Sequence, residues 1–309
     1  MIEVRSISKS FGNITALNDI TFTIERGEIF GILGPNGAGK STIVNILNTL
    51  IRPDSGDVII DGINTRYDGN TVKMIMGVVP QEIALYEELT AYENLLFWGG
   101  LYDIPKEDIR KAAVDNLRIV DLLDRKDDRI KTFSGGMKRR INIACSLLHN
   151  PRILVMDEPT VGVDPQNRNH IYEVIEKLNS GGMTIIYTTH YMDEAERFCD
   201  KMAIIDTGRI IAQGTLRELR AVSDVKDILT VKLAEADIQV IEKIISSCPA
   251  LVYDNITNTL GAECASPGID VPVLITKIQE LGGVIEKIYY HGTDLESVYL
   301  KLTGKELRD

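Results

Sequence analysis

Nine residues, Gly34-Pro35-Asn36-Gly37-Ala38-Gly39-Lys40-Ser41-Thr42, follow the apolar run Ile29-Phe30-Gly31-Ile32-Leu33. An apolar strand, a glycine loop and a helix start in that order match G-x-x-x-x-G-K-[ST], the phosphate-binding P-loop. This pattern commits the chain to an α/β core around a nucleoside triphosphate and Mg²⁺. Gly34, Gly37 and Gly39 allow backbone angles that a Cβ forbids, so successive N–H groups can form an anion nest. A helix starting near Lys40 adds its positive end. Lys40 should reach the β- and γ-phosphates, and the Ser41 hydroxyl should ligate the hard cation.

The 309 residues suit one large and one small domain. Hydrophobic residues at 44% and charged residues at 26% give the profile of a globular protein. No apolar run approaches bilayer-spanning length. The start, MIEVRSISKSFG, has neither a basic opening nor an apolar core, so no signal peptide is expected, and the chain is expected in the cytoplasm. A net charge of -11 argues against a nucleic-acid partner. The four cysteines, Cys145, Cys199, Cys248 and Cys264, form no C-x-x-C pair and are expected as ordinary buried thiols.

Residues 2–8 and 20–24 alternate apolar with polar residues, as half-buried strands do. Together with PDSGDVIIDG after the P-loop helix, they predict an antiparallel sheet beside the α/β core. Residues 91–124 are helical in pattern, which predicts a helical subdomain over about 85–150. Apolar strands return at 153–156, 184–189 and 202–205, alternating with helices, so the main sheet should be largely parallel. Composition shifts near residue 221, which divides the chain into domains 1–220 and 221–309. The second reads strand (228–233), helix (235–247), strands (250–254 and 258–263), helix (271–281), strand (284–290) and a last helix (294–302). A β-α-β-β-α-β order is the ferredoxin-like arrangement, so a small α+β domain is expected.

Two further segments carry chemistry. ILVMDEP, residues 153–159, is a buried strand that delivers Asp157 and Glu158 to the sheet edge where ligands of open α/β folds bind. Asp157 is placed to hold Mg²⁺ through water, and Glu158 to orient or deprotonate an attacking water. In FSGGMKRR, residues 133–140, Ser134 can cap a helix while Gly135 and Gly136 leave its first N–H groups bare. Taken alone that is a capped helix with a flexible entry.

The order GPNGAGKST, Gln81, SGG, MDE, His190 resembles the ATP-binding-cassette (ABC) ATPases over roughly residues 1–220. FSGGMKRR, TVGVDP and the C-terminal domain are most similar to the nucleotide-binding subunits of bacterial multidrug and antibiotic exporters. The resemblance implies a head-to-tail pair, a second copy or a paralogous ATPase subunit, in which Ser134, Gly135 and Gly136 of one subunit cover the ATP held by the other's P-loop. It implies adenine stacking by Phe11, and contact of Gln81 with Mg²⁺ and water. It also implies a dimer contact from Asp164 and a γ-phosphate contact from His190. Transmembrane permease subunits are implied too, addressed through the region after Gln81, around Tyr86 to Trp98, with the chain peripheral on the inner face of the plasma membrane. Phe133 and Met137 depart from the commonest signature, which has Leu and Gln there, so a polar contact from the fifth position is lost. The rivals are an importer subunit, a non-transport ABC ATPase acting on DNA or ribosomes, and a module that holds ATP without hydrolysing it.

Overall fold

The computed structural model describes residues 1–102, 104–223, 227–234, 237–263, 270–292 and 294–304, and it divides into two compact units between Leu219 and Arg220. The first is built on two sheets. Strands β1 (Ile2–Phe11), β2 (Ile14–Ile24), β4 (Ser55–Ile60) and β5 (Ile63–Asn64) form an antiparallel sheet in the order β2-β1-β4-β5. Strands β1 and β2 run further than alternation alone indicates, because Gly12, at φ 57°, turns the chain and lets Phe11 pair with Ile14.

The second sheet uses β3 (Ile29–Leu33), β6 (Met76–Val79), β7 (Ile153–Asp157), β8 (Thr184–Thr189), β9 (Lys201–Asp206) and β10 (Arg209–Gly214), in the order β10-β9-β3-β8-β7-β6. All its pairs are parallel except β9 with β10. Strands β3, β7 and β8 are buried at every residue, which explains why they read as continuous apolar runs. One side of this sheet joins the antiparallel sheet and helix α1 (Lys40–Leu47) in a core that includes Ile2, Phe22, Phe30, Ile32, Ile43 and Val58. A short helix, α2 (Gly69–Ile75), capped by Asp68, precedes β6 and had no separate signature in the sequence.

The other core joins the sheet to the helical segment, α3 (Ala91–Gly99), α4 (Lys106–Ile119) and α5 (Gly135–Ser146), and to α6 (Pro165–Ser180) and α7 (Met192–Phe198). Thr90 and Glu93 start α3 as a reciprocal capping box. Met137 is half-buried against this core and Phe133 is buried in it, so the two positions that depart from the common signature serve packing. Helix α8 (Leu216–Ser223) crosses the division between units.

The second unit contains β11 (Ile228–Leu233), α9 (Ile238–Ser247), β12 (Val252–Asp254), β13 (Thr259–Glu263), α10 (Val271–Glu280), β14 (Ile285–His291) and α11 (Leu295–Thr303). Its sheet order, β12-β13-β11-β14, with every pair antiparallel, is the ferredoxin-like one. Leu229, Val231 and Leu233 alternate into a core with Ile241, Ile244, Leu260, Leu274 and Ile278. Helix α9 is expected from residue 235, but 235 and 236 lie outside the described residues. The second strand is shorter than expected, because Leu251 leaves the ladder to pack in the core.

Cys145 is a buried free thiol, and the thiol of Cys199, on a residue that is half-buried as a whole, is pushed up by burial; Cys248 is half-buried, which corrects the expectation for that residue, and Cys264 lies outside the described residues.

Candidate functional site

Residues 34–39 leave β3 and turn into α1, with Gly34 at φ 154°, Gly37 at 81° and Gly39 at 111°. Two of these glycines are also fixed by packing. A Cβ on Gly34 would stand 2.2 Å from the Ile205 carbonyl oxygen, and one on Gly39 would stand 2.7 Å from Leu17 and 2.8 Å from the Ala16 oxygen. Helix α1 has no side-chain cap, so its first N–H groups remain available to an anion. Pro35 and Ala38 are buried in the loop, whereas Asn36, Gly37 and Ser41 are exposed and Thr42 is half-buried.

A cavity of ≈ 520 Å³ opens over this loop. Its lining includes Asn36, Gly37, Gly39, Lys40, Ser41 and Thr42 of the loop, Gln81 from beyond β6 and Glu158 from the end of β7. Ile14, Thr15 and Ala16 of β2 and the turn Thr207-Gly208 complete it, and none of these five stood out in the sequence. The signal for the turn was weak, since a Thr-Gly pair between strands is common. Phe11 does not line the cavity. It is exposed at the hairpin tip, paired in register with Ile14, which does.

The centre of the site is Glu158. Its residue is 5% exposed and its backbone is left-handed, at φ 46°, an uncommon state for a side chain without a short polar group. Lys40 Nζ lies 3.1 Å from Glu158 Oε1 and also donates to the carbonyls of Gly34 at 2.7 Å and Pro35 at 3.1 Å. Gln81 Nε2 donates to Glu158 Oε2 at 3.0 Å. His190 Nδ1 stands 3.5 Å from Glu158 Oε1 without forming a hydrogen bond, so this buried nitrogen has no partner. Three residues spread from 40 to 190 thus meet around one carboxylate.

Thr188 is a residue that motif reading missed. It is paired in register with Asp157, donates from Oγ1 to Asp157 Oδ1 at 2.6 Å, and accepts there from the Glu158 N–H at 3.0 Å. One hydroxyl therefore orients the Asp157 carboxylate and ties down the backbone of Glu158. Glu194 was also missed. Buried in α7, it accepts from Tyr172, Tyr187 and Thr189, each at 2.9 Å. Burial, and then the Glu194 charge, push the Tyr187 hydroxyl well above its ordinary range, so it remains a donor. Thr189 Oγ1 accepts from the Tyr191 N–H at 2.9 Å, so the residues on both sides of His190 are held.

Ser134, Gly135 and Gly136 sit apart from this cavity's lining. Ser134 caps α5, accepting from the Met137 N–H at 3.3 Å, and Gly135 has open space where a Cβ would stand. A Cβ on Gly136 would meet Asn167 Cβ at 2.3 Å. Asn167 donates its backbone N–H and its side-chain amide to Asp164, the N-cap of α6. Those bonds hold the Asp164 carboxyl below the usual carboxylate range. The structure thus brings Asp164 beside the signature segment, which the sequence left 30 residues apart.

A model of the ABC transporter family matches residues 17–161. The chain is 41% identical over 325 residues to the linearmycin resistance ATP-binding protein LnrL of Bacillus subtilis, covering 100% of both chains. It is 34% identical over 307 residues to the daunorubicin resistance ATP-binding protein DrrA3 of Streptomyces coeruleorubidus, covering 99% of this chain and 97% of that one. The chain belongs to the ABC transporter family. Among solved structures, a dimeric ATP-binding cassette, MJ0796, in a post-hydrolysis state with ADP and Pi, superposes with a TM-score of 0.63 at 31% identity, covering 70% of this chain and 99% of that one. This ABC protein is the ATP-binding and ATP-hydrolysing subunit of a transporter of the drug-export type.

Proposed function

We propose that this chain works as a head-to-tail pair that drives an antibiotic, drug, lipid or similar solute out of the cell through separate transmembrane subunits. The observation that carries the reading is the convergence of Lys40, Gln81 and His190 on Glu158 beside the P-loop. In this reading Lys40 leaves Glu158 for the β- and γ-phosphates, freeing the carboxylate to polarise the attacking water. His190, with an unpartnered ring nitrogen, contacts the γ-phosphate. The bare start of α1 and Asn36 to Thr42 cradle the phosphates, and Phe11, exposed beside Ile14, stacks on adenine.

Mg²⁺ supplies charge neutralisation at the phosphates when bound. Among the described residues no cluster of three His, Cys, Asp or Glu could hold a metal. The donors at hand suit an ion that keeps waters and phosphate oxygens: the Ser41 hydroxyl, the Gln81 amide oxygen, and Asp157, oriented by Thr188.

Ser134, Gly135 and Gly136 then cover the nucleotide of the second copy, with Asp164 at the contact. The bare Gly135 and the exposed Asp164 support this. The dimeric state of the MJ0796 cassette points the same way. No helix of the described residues is long and apolar enough to cross a membrane, so this role needs a membrane partner. An apolar cavity of ≈ 550 Å³, lined by Leu50, Met76, Val78, Pro80, Trp98 and Tyr102 among others, lies next to the Gln81 segment. Tyr86 and Phe97 are exposed and in edge contact at 4.6 Å. This surface is where the permease would dock, on the inner face of the plasma membrane. The C-terminal unit is assigned a regulatory or pair-stabilising role.

Lys40→Ala tests the site directly. ATP affinity measured by calorimetry should fall by about 2–3 kcal/mol, the size of a lost charge-assisted contact. Unchanged affinity would contradict the assignment.

A further inference from the structure

Helix α5 has a second set of contacts one to two turns beyond its capped start. Arg139, 3% exposed, donates Nη1 to the Pro80 carbonyl and Nη2 to the Gln81 carbonyl. Three residues later Asn142 donates to the Glu82 carbonyl at 3.3 Å. Positions i and i+3 share a helix face, so one face of α5 holds three consecutive peptide carbonyls beyond β6. Lys138 adds an ion pair to Glu87 further along the same segment. The planar fork of Arg139 is what allows two adjacent carbonyls to be bridged by one side chain.

The peptide so held belongs to Gln81, whose side chain donates to Glu158 at 3.0 Å. A continuous path therefore runs from Ser134, through one turn and a half of helix and a guanidinium, to the carboxylate of the chain's own site. The arrangement is costly for simple fastening. A full positive charge is buried with neutral carbonyls as its direct hydrogen-bond partners, the Asp157 carboxylate offsets only part of that cost, and Arg139 Nε has no hydrogen-bond partner. Neutral donors could tie the same segment.

We propose that Arg139 is a positioning residue that couples the two nucleotide sites of a pair: when the N-terminus of α5 seats on the γ-phosphate held by the second copy, Arg139 resets Gln81 over its own. The inference rests on the reading that Ser134 to Gly136 cover the second copy's nucleotide. Each Gln81 is then set by the nucleotide in the other P-loop, and hydrolysis becomes cooperative in ATP.

The test uses full-length Arg139→Met and Arg139→Lys proteins. Calorimetry reads ATP affinity, and light scattering in a Glu158→Gln background reads ATP-dependent pairing. Steady-state phosphate release then gives kcat, KM and the Hill coefficient. We expect Arg139→Met to bind ATP and pair as the parent does. Its kcat should fall about tenfold or more, as misplacement of a reacting group does. Its Hill coefficient should drop from near the two-site ceiling of about 2 to about 1. Arg139→Lys, which keeps the charge but not the fork, should also lose cooperativity, and it serves as the test if the Met variant fails to fold. A parental Hill coefficient and kcat in these variants would overturn the proposal. If the Glu158→Gln parent itself never pairs in ATP, the two-copy reading fails and the proposal falls with it.

Discussion

Replacing Glu158 with Gln exchanges one oxygen for an amide nitrogen and removes one charge, and the contacts around it let the consequences be worked out. In the free chain, Oε1 faces Lys40 Nζ at 3.1 Å and Oε2 accepts from Gln81 at 3.0 Å. The variant can keep its amide oxygen on Lys40 and point its nitrogen at Gln81, whose own amide can turn over to accept. No polar atom is orphaned. Only the charge-assisted part of a buried pair is lost, about 1–3 kcal/mol of free-chain stability. Thermal midpoints in a chain of this size should fall by roughly 2–4 °C for each kcal/mol. The nucleotide-bound state moves the other way, because a carboxylate no longer repels the incoming γ-phosphate. With the free state raised and the bound state lowered, ATP affinity should rise about ten- to a hundredfold, at about 1.4 kcal/mol per tenfold. Hydrolysis should slow by about 10²–10⁴, the usual worth of a general base. Calorimetry, single-turnover phosphate release and light scattering in ATP report the three effects, with a trapped pair expected in the last. Turnover at the parental rate would refute the role of Glu158, and ATP affinity no higher than the parent's would refute its free-state pairing with Lys40.

Two further predictions follow from the periphery of the site. Phe11→Ala should weaken ATP by about 1–3 kcal/mol, the worth of stacking one base on an aromatic ring, while leaving inorganic triphosphate affinity unchanged; equal loss for both ligands would show that Phe11 only shapes the hairpin. Asp164 has a carboxyl held below its ordinary range by Asn167. Its contribution to stability is therefore complete above the ordinary carboxylate range and is lost as pH falls through its lowered value. Thermal melts of the parent and of Asp164→Asn, which can still cap α6, should separate near neutral pH and converge in acid; curves separated by the same amount at every pH would remove Asp164 from that linkage.

Motif spacing supplied the P-loop, the acidic strand end and the capped Ser134 helix, and apolar patterning supplied the order of elements in the C-terminal unit. These are local features. A glycine loop, a buried run of Ile and Val or a hydroxyl cap depends on neighbours a few residues away, and the covalent order of the chain keeps those neighbours in place. The family resemblance then gave Gln81 and His190 their significance, since neither has a local signature. What the sequence could not contain is the closure of Lys40, Gln81 and His190 on Glu158, because parallel strand order, β3 beside β8 beside β7, sets those distances. The same holds for Thr188 and Glu194. One is an ordinary strand threonine until register places it against Asp157, and the other is an ordinary helix acid until packing surrounds it with three hydroxyls. Arg139 is the clearest case. Within SGGMKRR it is one of three cations, and only packing buries it against the carbonyls of Pro80 and Gln81. Chemistry carried by a backbone conformation was written in the chain; chemistry carried by contact between distant elements was decided by the packing of the sheet.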